Sequence, residues 1–259
     1  MTDASEQPPR APAASPARSI GTKGAVLAGL GGLLVGGGAV ALWAGSGPGA
    51  SRAEVEQIVR EYVLENPEII PEAMQRLQDN EGAKVVRANR AAIETPFAGA
   101  WAGAADGDVV LVEFFDYACG YCRKSNEDID RLLKEDPKLK VVWRDWPVLG
   151  PESELAARAS LAAARQGRFR QYYDRLFAAG RPNERTIAEA QQAAGVSPQM
   201  VEQVAASPEG KSELVKNSEL ARALGASGTP TFIVGDKVLQ GAVGYEALKE
   251  AIEQARAKA

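Results

Sequence analysis

Both cysteines of this 259-residue chain stand in one tetrapeptide, Cys119-Gly120-Tyr121-Cys122, and the chain contains no histidine. The tetrapeptide follows directly on an apolar run, Asp108-Val-Val-Leu-Val-Glu-Phe-Phe115, of the kind that forms a buried central strand. Beyond it Ile129, Leu132 and Leu133 lie at helical spacing. A strand that passes into a helix through two such cysteines puts both sulfurs in the first helical turn, close enough to bond. Unpaired N–H groups and the helix dipole favour a thiolate there. Placement of this kind brings a thiol from about 8.5 into roughly the 3.5–7.5 range. Cys119 is therefore the expected nucleophile, and Cys122, a turn deeper, the partner that resolves a mixed disulfide. An inert bridge is the weaker alternative, because closing so short a loop removes little unfolded-state entropy. A Cu(I) clip between two soft thiolates is the other.

The missing imidazole excludes Ser-His-Asp and Cys-His hydrolases, His-ligated zinc and His-ligated haem. Two cysteines are too few for a four-cysteine zinc site or a disulfide framework. With 30 basic and 34 acidic residues the net charge is −4, which gives no basic footprint for nucleic acid. No metal and no cofactor beyond the cysteine pair is expected.

Residues 1–24 are rich in Pro, Ala and Ser and carry basic residues, and Ala25 to Ala44 then run without a charge. As a helix that run would reach roughly 30 Å, enough to cross a bilayer. Basic residues precede it and none falls between Gly45 and Ser51, so the amino terminus is expected in the cytoplasm and the remainder outside it. Ala39-Val40-Ala41 offers a small-x-small cleavage pattern, but the run is longer than a usual signal core; an uncleaved anchor is favoured. After a linker at 45–51, Val55, Ile58, Val59, Tyr62 and Val63 form an amphipathic helical stripe. Asn66-Pro67 reads as an N-cap and first-turn proline opening a second helix, with Ile70, Met74 and Leu77 on one face. A third apolar set, Val85, Val86 and Ile93, completes a helical stalk over 52–95. Its apolar face must pack on the main domain or on copies of itself.

The main domain, 96–259, reads as strand, helix, strand, helical block, hairpin and helix. Leu139 to Trp143 is the second buried strand. About four helices fit between Ser153 and Leu224. Thr231 to Val234, the turn Gly235-Asp236, and Lys237 to Gln240 form a hairpin, and Tyr245 to Ala257 a closing helix. Trp143, Trp146, Phe169, Tyr172, Tyr173, Leu176 and Phe177 are read as core packing, and Arg123 and Arg144 as solvated surface charge.

The segment Val112-Glu113-Phe114-Phe115-Asp116-Tyr117-Ala118-Cys119-Gly120-Tyr121-Cys122, the later Thr229-Pro230-Thr231-Phe232 and the helical block between them resemble the DsbA-like branch of the thioredoxin superfamily. The resemblance covers about Asp108 to Ala257. It implies an α/β thioredoxin fold with an inserted helical domain at about 151–227, preceded by a transmembrane or signal helix and the stalk. It also implies a cis Thr229–Pro230 bond facing the cysteines, with Thr229 offering its backbone to a substrate strand beside Gly120 and Tyr121. Glu113 matches the family's buried acid beneath the cysteines, where desolvation would raise its pKa and make it a third catalytic candidate.

Gly-Tyr between the cysteines contains no His to stabilise a reduced thiolate, so the pair should be less oxidising than a DsbA-type oxidase. Gly120-Tyr121 and the Thr before the proline resemble the isomerases DsbC and DsbG, and Val55 to Leu77 is similar to the oligomerisation region of ScsC-type proteins. The expectation is an exported thiol–disulfide oxidoreductase leaning to isomerase or reductase. Its partners would be protein thiols or disulfides, a membrane or periplasmic redox partner, and copies of itself through 52–94. The catalytic domain would lie in the periplasm of a bacterium. A DsbA-like oxidase and a Cu(I)-binding copper-resistance protein are the alternatives.

Overall fold

The computed structural model describes residues 51–258. The expected tail at 1–24 and apolar segment at 25–44 lie outside the described residues, as does most of the linker. Among the described residues no helix is long and apolar enough to cross a membrane. The chain divides into two units at Pro67/Glu68.

In the first unit, α1 (Arg52–Glu65) opens with a capping box, the Ser51 hydroxyl accepting from the Glu54 N–H and the Glu54 carboxylate from the Ser51 N–H. Val55, Ile58, Val59 and Tyr62 are all exposed. Asn66 does not open a helix, contrary to the sequence expectation. It ends α1, its backbone N–H and its side-chain amide both donating to the Tyr62 carbonyl, at 2.9 and 2.8 Å. One residue supplies two donors to a single orphan carbonyl of the C-terminus, and that use excludes the N-cap role.

The second unit begins with α2 (Ile69–Glu94), which has no side-chain cap. Pro71 falls in its first turn, where a missing N–H has no intrahelical partner to lose. The helix changes character along its length. Ile70, Met74 and Leu77 are exposed, whereas Val86 and Ile93 are fully buried against the sheet. The apolar set at 85–93 is thus part of the main core.

A five-stranded sheet follows, in the order β1-β3-β2-β4-β5. It comprises β1 (Trp101–Gly103), β2 (Val109–Phe115), β3 (Leu139–Asp145), β4 (Thr231–Val234) and β5 (Lys237–Gln240). Of the neighbouring pairs only β2–β3 is parallel, joined through α3 (Gly120–Glu135). The edge strand β1 was not foreseen; three residues paired antiparallel to β3 carry too little alternation to read. Gly235 (φ +57°) and Asp236 make the tight turn of the β4–β5 hairpin. The insertion holds five helices, one more than expected: α4 (Pro151–Arg165), α5 (Phe169–Ala179), α6 (Glu184–Ala194), α7 (Pro198–Ala206) and α8 (Pro208–Ala223). Ser207 ends α7 and caps α8, so the two helices meet at the Ser207-Pro208 break without a loop between them. The last helix, α9, spans Tyr245–Arg256.

Alternation on β2 serves two cores. Leu111 and Phe115 face a cluster with Ile129 of α3 and Leu248 and Ile252 of α9. Val112 and Phe114 face the opposite cluster, with Val86 and Ile93 of α2 and Leu220 of α8. Burial on both faces is why this strand reads as a continuous apolar run. It also fixes Glu113, between Leu111 and Phe115 in the alternation, on the α3 side.

Arg144 corrects the surface-charge expectation, since it is 1% exposed. Its guanidinium donates to the carbonyls of Ile93 (2.8 Å), Thr95 (2.6 Å) and Ala92 at the end of α2, and to Asn217 (2.8 Å) and Glu213 (3.0 Å) on α8. A planar cation with five donors at a helix C-terminus satisfies orphan carbonyls that no other residue reaches.

Candidate active site

Cys119 is the N-cap of α3, and its sulfur accepts from the Cys122 N–H at 3.3 Å. The two thiols are free and differ in environment. Cys119 is 5% exposed and Cys122 fully buried. A hydrogen bond from the Cys122 side chain, with the backbone N–H groups of Cys122 and Tyr121, lowers the Cys119 thiol from 9.0 to about 6. Desolvation drives Cys122 strongly upward, and its hydrogen bond to Cys119 adds to this. One sulfur is poised as a thiolate and the other held as a thiol.

Asp116 shapes the approach to the nucleophile. Its carboxylate accepts from Ala118 N–H (2.7 Å), Ser153 O–H (2.7 Å), Val148 N–H (2.8 Å) and Leu149 N–H (2.9 Å). The first is an Asx-turn contact, the signal by which the sequence could have disclosed it. Together they tie the cysteine loop to the segment after β3 and to α4.

The Thr229–Pro230 bond is cis. The Cys119 thiol meets the Thr229 carbonyl at 3.2 Å, so residues 110 apart in sequence are brought into contact. Pro230 is buried and its carbonyl accepts from Gly241. Tyr121 is 69% exposed, and a Cβ built on Gly120 would have no neighbour within 4 Å. Gly120 and Tyr121 thus form an open rim beside the buried Cys119.

Glu113 is fully buried. Tyr173 beside it belongs to an aromatic cluster with Phe115, Tyr117 and Phe177, packed edge to face with ring centroids 4.7–5.9 Å apart for the pairs Phe115–Tyr117, Phe115–Tyr173, Tyr117–Tyr173 and Tyr173–Phe177. Desolvation there pushes the carboxyl from 4.5 to about 8, opposed by the hydrogen bond from the Tyr173 hydroxyl. Its charge in turn raises Cys122. The five residues Cys119, Cys122, Glu113, Thr229 and Pro230 therefore converge on one site, with Gly120 and Tyr121 at its open rim. Arg123 is elsewhere engaged, donating to the Phe177 carbonyl at 3.0 Å. The Tyr173 hydroxyl, read from sequence only as packing, donates toward Glu113 (3.2 Å) and Asn126 (2.6 Å).

This sheet and this helix-capping cysteine pair define a thioredoxin-like protein with a thiol–disulfide exchange centre. Residues 110–253, more than half of the chain, match the DSBA-like thioredoxin domain, and the chain belongs to that family. Residues 52–84 match the copper resistance protein ScsC N-terminal domain. A thioredoxin-like oxidoreductase from Silicibacter pomeroyi is 35% identical and superposes with a TM-score of 0.63 over 66% of this chain and 99% of that one. A linker-deletion variant of Proteus mirabilis ScsC is 26% identical with a TM-score of 0.63, over 83% and 99%. Disulfide bond formation protein D of Bacillus subtilis is 28% identical over 59% of this chain and 74% of its own. The chain is also 29% identical, over 61% of its length, to a Na(+)/H(+) antiporter NhaA 3 of Salinispora tropica, of which it spans 24%.

Proposed function

We propose that the protein is an exported thiol–disulfide oxidoreductase acting on protein substrates, with a lean to isomerase or reductase chemistry. The observation that carries this is the asymmetry of the pair: Cys119 lowered to about 6 beside an open rim, Cys122 buried and driven up. The Cys119 thiolate attacks a substrate disulfide; the Cys119–substrate S–S bond forms and the other substrate sulfur leaves as a thiolate. Cys122 then gives its proton to the Glu113 carboxylate and attacks the Cys119 sulfur. The Cys119–Cys122 bond forms, the second substrate sulfur departs, and the substrate is reduced by two electrons while the pair is oxidised. As isomerase, a substrate thiol attacks the mixed disulfide instead and Cys119 leaves unchanged. Glu113, near 8, exchanges a proton close to neutrality in either direction. Thr229 and Pro230 present backbone to the substrate, and Gly120 and Tyr121 flank its entry.

The lean rests on what stabilises the thiolate. Its principal stabilisers are neutral donors, and the residues between the cysteines, Gly120 and Tyr121, bring no cation. The reduced state is then less favoured than in a strong oxidase. The reduction potential of the full chain decides this: a value well below about −120 mV is expected, and one near it returns the DsbA-like oxidase reading.

The apolar run Ala25 to Ala44 supports a membrane anchor or signal with the catalytic domain in the periplasm. Exposed Val55, Ile58, Val59, Tyr62, Ile70, Met74 and Leu77 support self-association, in a region that also matches an ScsC amino-terminal domain. The burial of Val86 and Ile93 confines that role to the part before them. Sedimentation of the full chain against an Ile58→Asp, Met74→Asp variant tests it, identical monomers being the contrary result. The copper-resistance name of the matching domain supports one further reading, Cu(I) held by Cys119 and Cys122. Failure of the reduced chain to compete with a Cu(I) chelator would end it.

A further inference from the structure

Glu113 Oε2 lies 3.2 Å from the Tyr173 hydroxyl, which lies 2.6 Å from Asn126 Oδ1 on α3. One hydroxyl proton faces two acceptors. The arrangement is complete when Glu113 carries a proton: the acid donates to Tyr173, and Tyr173 donates to Asn126. When Glu113 is a carboxylate the Tyr173 proton must turn toward it. The Asn126 amide can then present its NH2 group to the tyrosine oxygen, because an amide offers a donor or an acceptor by rotation. A hydroxyl both accepts from an acid and donates to its conjugate base, and a neighbouring amide fits either polarity.

We propose that Tyr173 and Asn126 form a reversible hydrogen-bond relay that keeps Glu113 partnered in both protonation states, with Tyr173 the positioning residue for proton transfer at Cys122. This rests on the reading of Glu113 as proton acceptor given above. The remaining groups facing Glu113 are consistent with it. On β3, Trp143 stands directly opposite in register, and its Nε1 and Glu113 Oε1 are both buried without a partner. The indole N–H is the donor available to the second carboxylate oxygen. From α3 the Cys119 and Cys122 thiols face the carboxyl, and from α5 the Arg170 guanidinium stands behind the rings, 5.1 Å over Trp143 and 5.3 Å over Tyr173. Arg170 is paired with Asp130 (2.6 Å) and Asp174 (2.8 Å), so it supplies a fixed background charge and not a bond to Glu113. The Tyr117 hydroxyl points away, to Ser160 at 3.0 Å. Through Tyr173 the inserted helical block enters the proton chemistry of the cysteine site.

The test is infrared titration of the Glu113 carboxyl band in the full chain, the band being assigned by its loss in Glu113→Gln. A hydrogen bond to a charged group is about twice as strong as one between neutral groups, so removing the hydroxyl harms the carboxylate more than the acid. Tyr173→Phe should move the midpoint up by about one pH unit, and Asn126→Leu should move it less in the same direction. Tyr172→Phe, which deletes a hydroxyl bonded to the Ala156 carbonyl in the same core, should leave it in place. An unmoved or lowered midpoint in Tyr173→Phe, or an equal shift in Tyr172→Phe, overturns the relay. Release of glutathione from its mixed disulfide with Cys119, followed against pH, should track the same shift. A release profile unchanged in Glu113→Gln overturns the proton-acceptor reading itself, whatever the infrared midpoint does.

Discussion

Cys119 and Thr229 touch, thiol to carbonyl at 3.2 Å, so the nucleophile rests against the backbone just before the cis prolyl bond. Cys119 is nearly covered, 5% exposed, while the neighbouring Gly120 borders open space. Reactivity then depends on ionisation more than on exposure. Alkylation of Cys119 by iodoacetamide should rise through about pH 6 and level off above it. The Cys122 side chain is the largest cause of that low value. Cys122→Ala removes a donor to the thiolate and should move the midpoint upward by about one unit. An alkylation midpoint that stays put in this variant would show that the backbone N–H groups alone hold the thiolate.

Glu113 and Cys119 set opposite slopes of stability against pH. A carboxyl raised from 4.5 to about 8 holds its proton in the fold where the unfolded chain has released it, so stability falls as pH rises through that window. The full shift corresponds to about 5 kcal/mol, an order-of-magnitude figure. Cys119, lowered from 9.0 to about 6, gives stability that is present above the unfolded value and lost as pH falls toward 6. The combined contribution of these two groups should therefore decline from pH 4.5 to 6, change little between 6 and 8, and recover toward 9. Glu113→Gln should lose the Glu113 share of the decline and gain stability relative to the natural chain as pH rises toward 8. Urea midpoints across the range check this, and a Glu113→Gln curve parallel to the natural one would refute the buried-acid assignment.

Much of this site was legible because its chemistry is local. Cys119, Cys122 and the helix they open stand in consecutive residues, whereas Glu113 stands out by its match to the family's buried acid, since alternation alone leaves its face open. Tyr173 and Asn126 were not, because a tyrosine at helical spacing among Phe169, Leu176 and Phe177 looks the same whether or not its hydroxyl has a partner. Arg144 was misread for a related reason. It alternates with Trp143 and so faces the opposite side of the sheet, and only the end of α2, some fifty residues earlier, supplies the carbonyls that justify burying a cation. Asn66-Pro67 carries signals for both a helix end and a helix start, and the geometry of Tyr62 decides between them.

Arg144 should be among the least replaceable residues outside the cysteine site. Arg144→Ala leaves the Glu213 carboxylate with only Lys216, 3.7 Å away on the same helix, strips Asn217 and three backbone carbonyls of their buried donor, and should destabilise by about 3–5 kcal/mol. Arg144→Lys should recover little, because one ammonium with three donors cannot reach acceptors on both α2 and α8. Denaturant midpoints measure both, and a lysine variant as stable as the natural chain would mean that charge, not the planar fork, is what matters.

Asp116 links the cysteine loop to Val148 and Leu149, two exposed apolar residues held by backbone N–H bonds to one carboxylate oxygen. Asp116→Asn separates geometry from charge. If its amide keeps the oxygen toward Ala118 and Ser153, its NH2 group faces two N–H donors and must turn them away. The segment at 147–150 should then loosen, with faster amide exchange at Val148 and Leu149, and the fold should lose about 2–3 kcal/mol. The Asp116 carboxylate bonds neither cysteine and the Cys119 sulfur keeps its bond from the Cys122 N–H, so the alkylation midpoint of Cys119 should hold near 6. Thiol–disulfide exchange with a protein disulfide should slow more than exchange with glutathione, since a larger substrate needs the ordered rim and a small one does not. Equal slowing with both substrates would show that Asp116 acts on the sulfur itself and not on the surface around it.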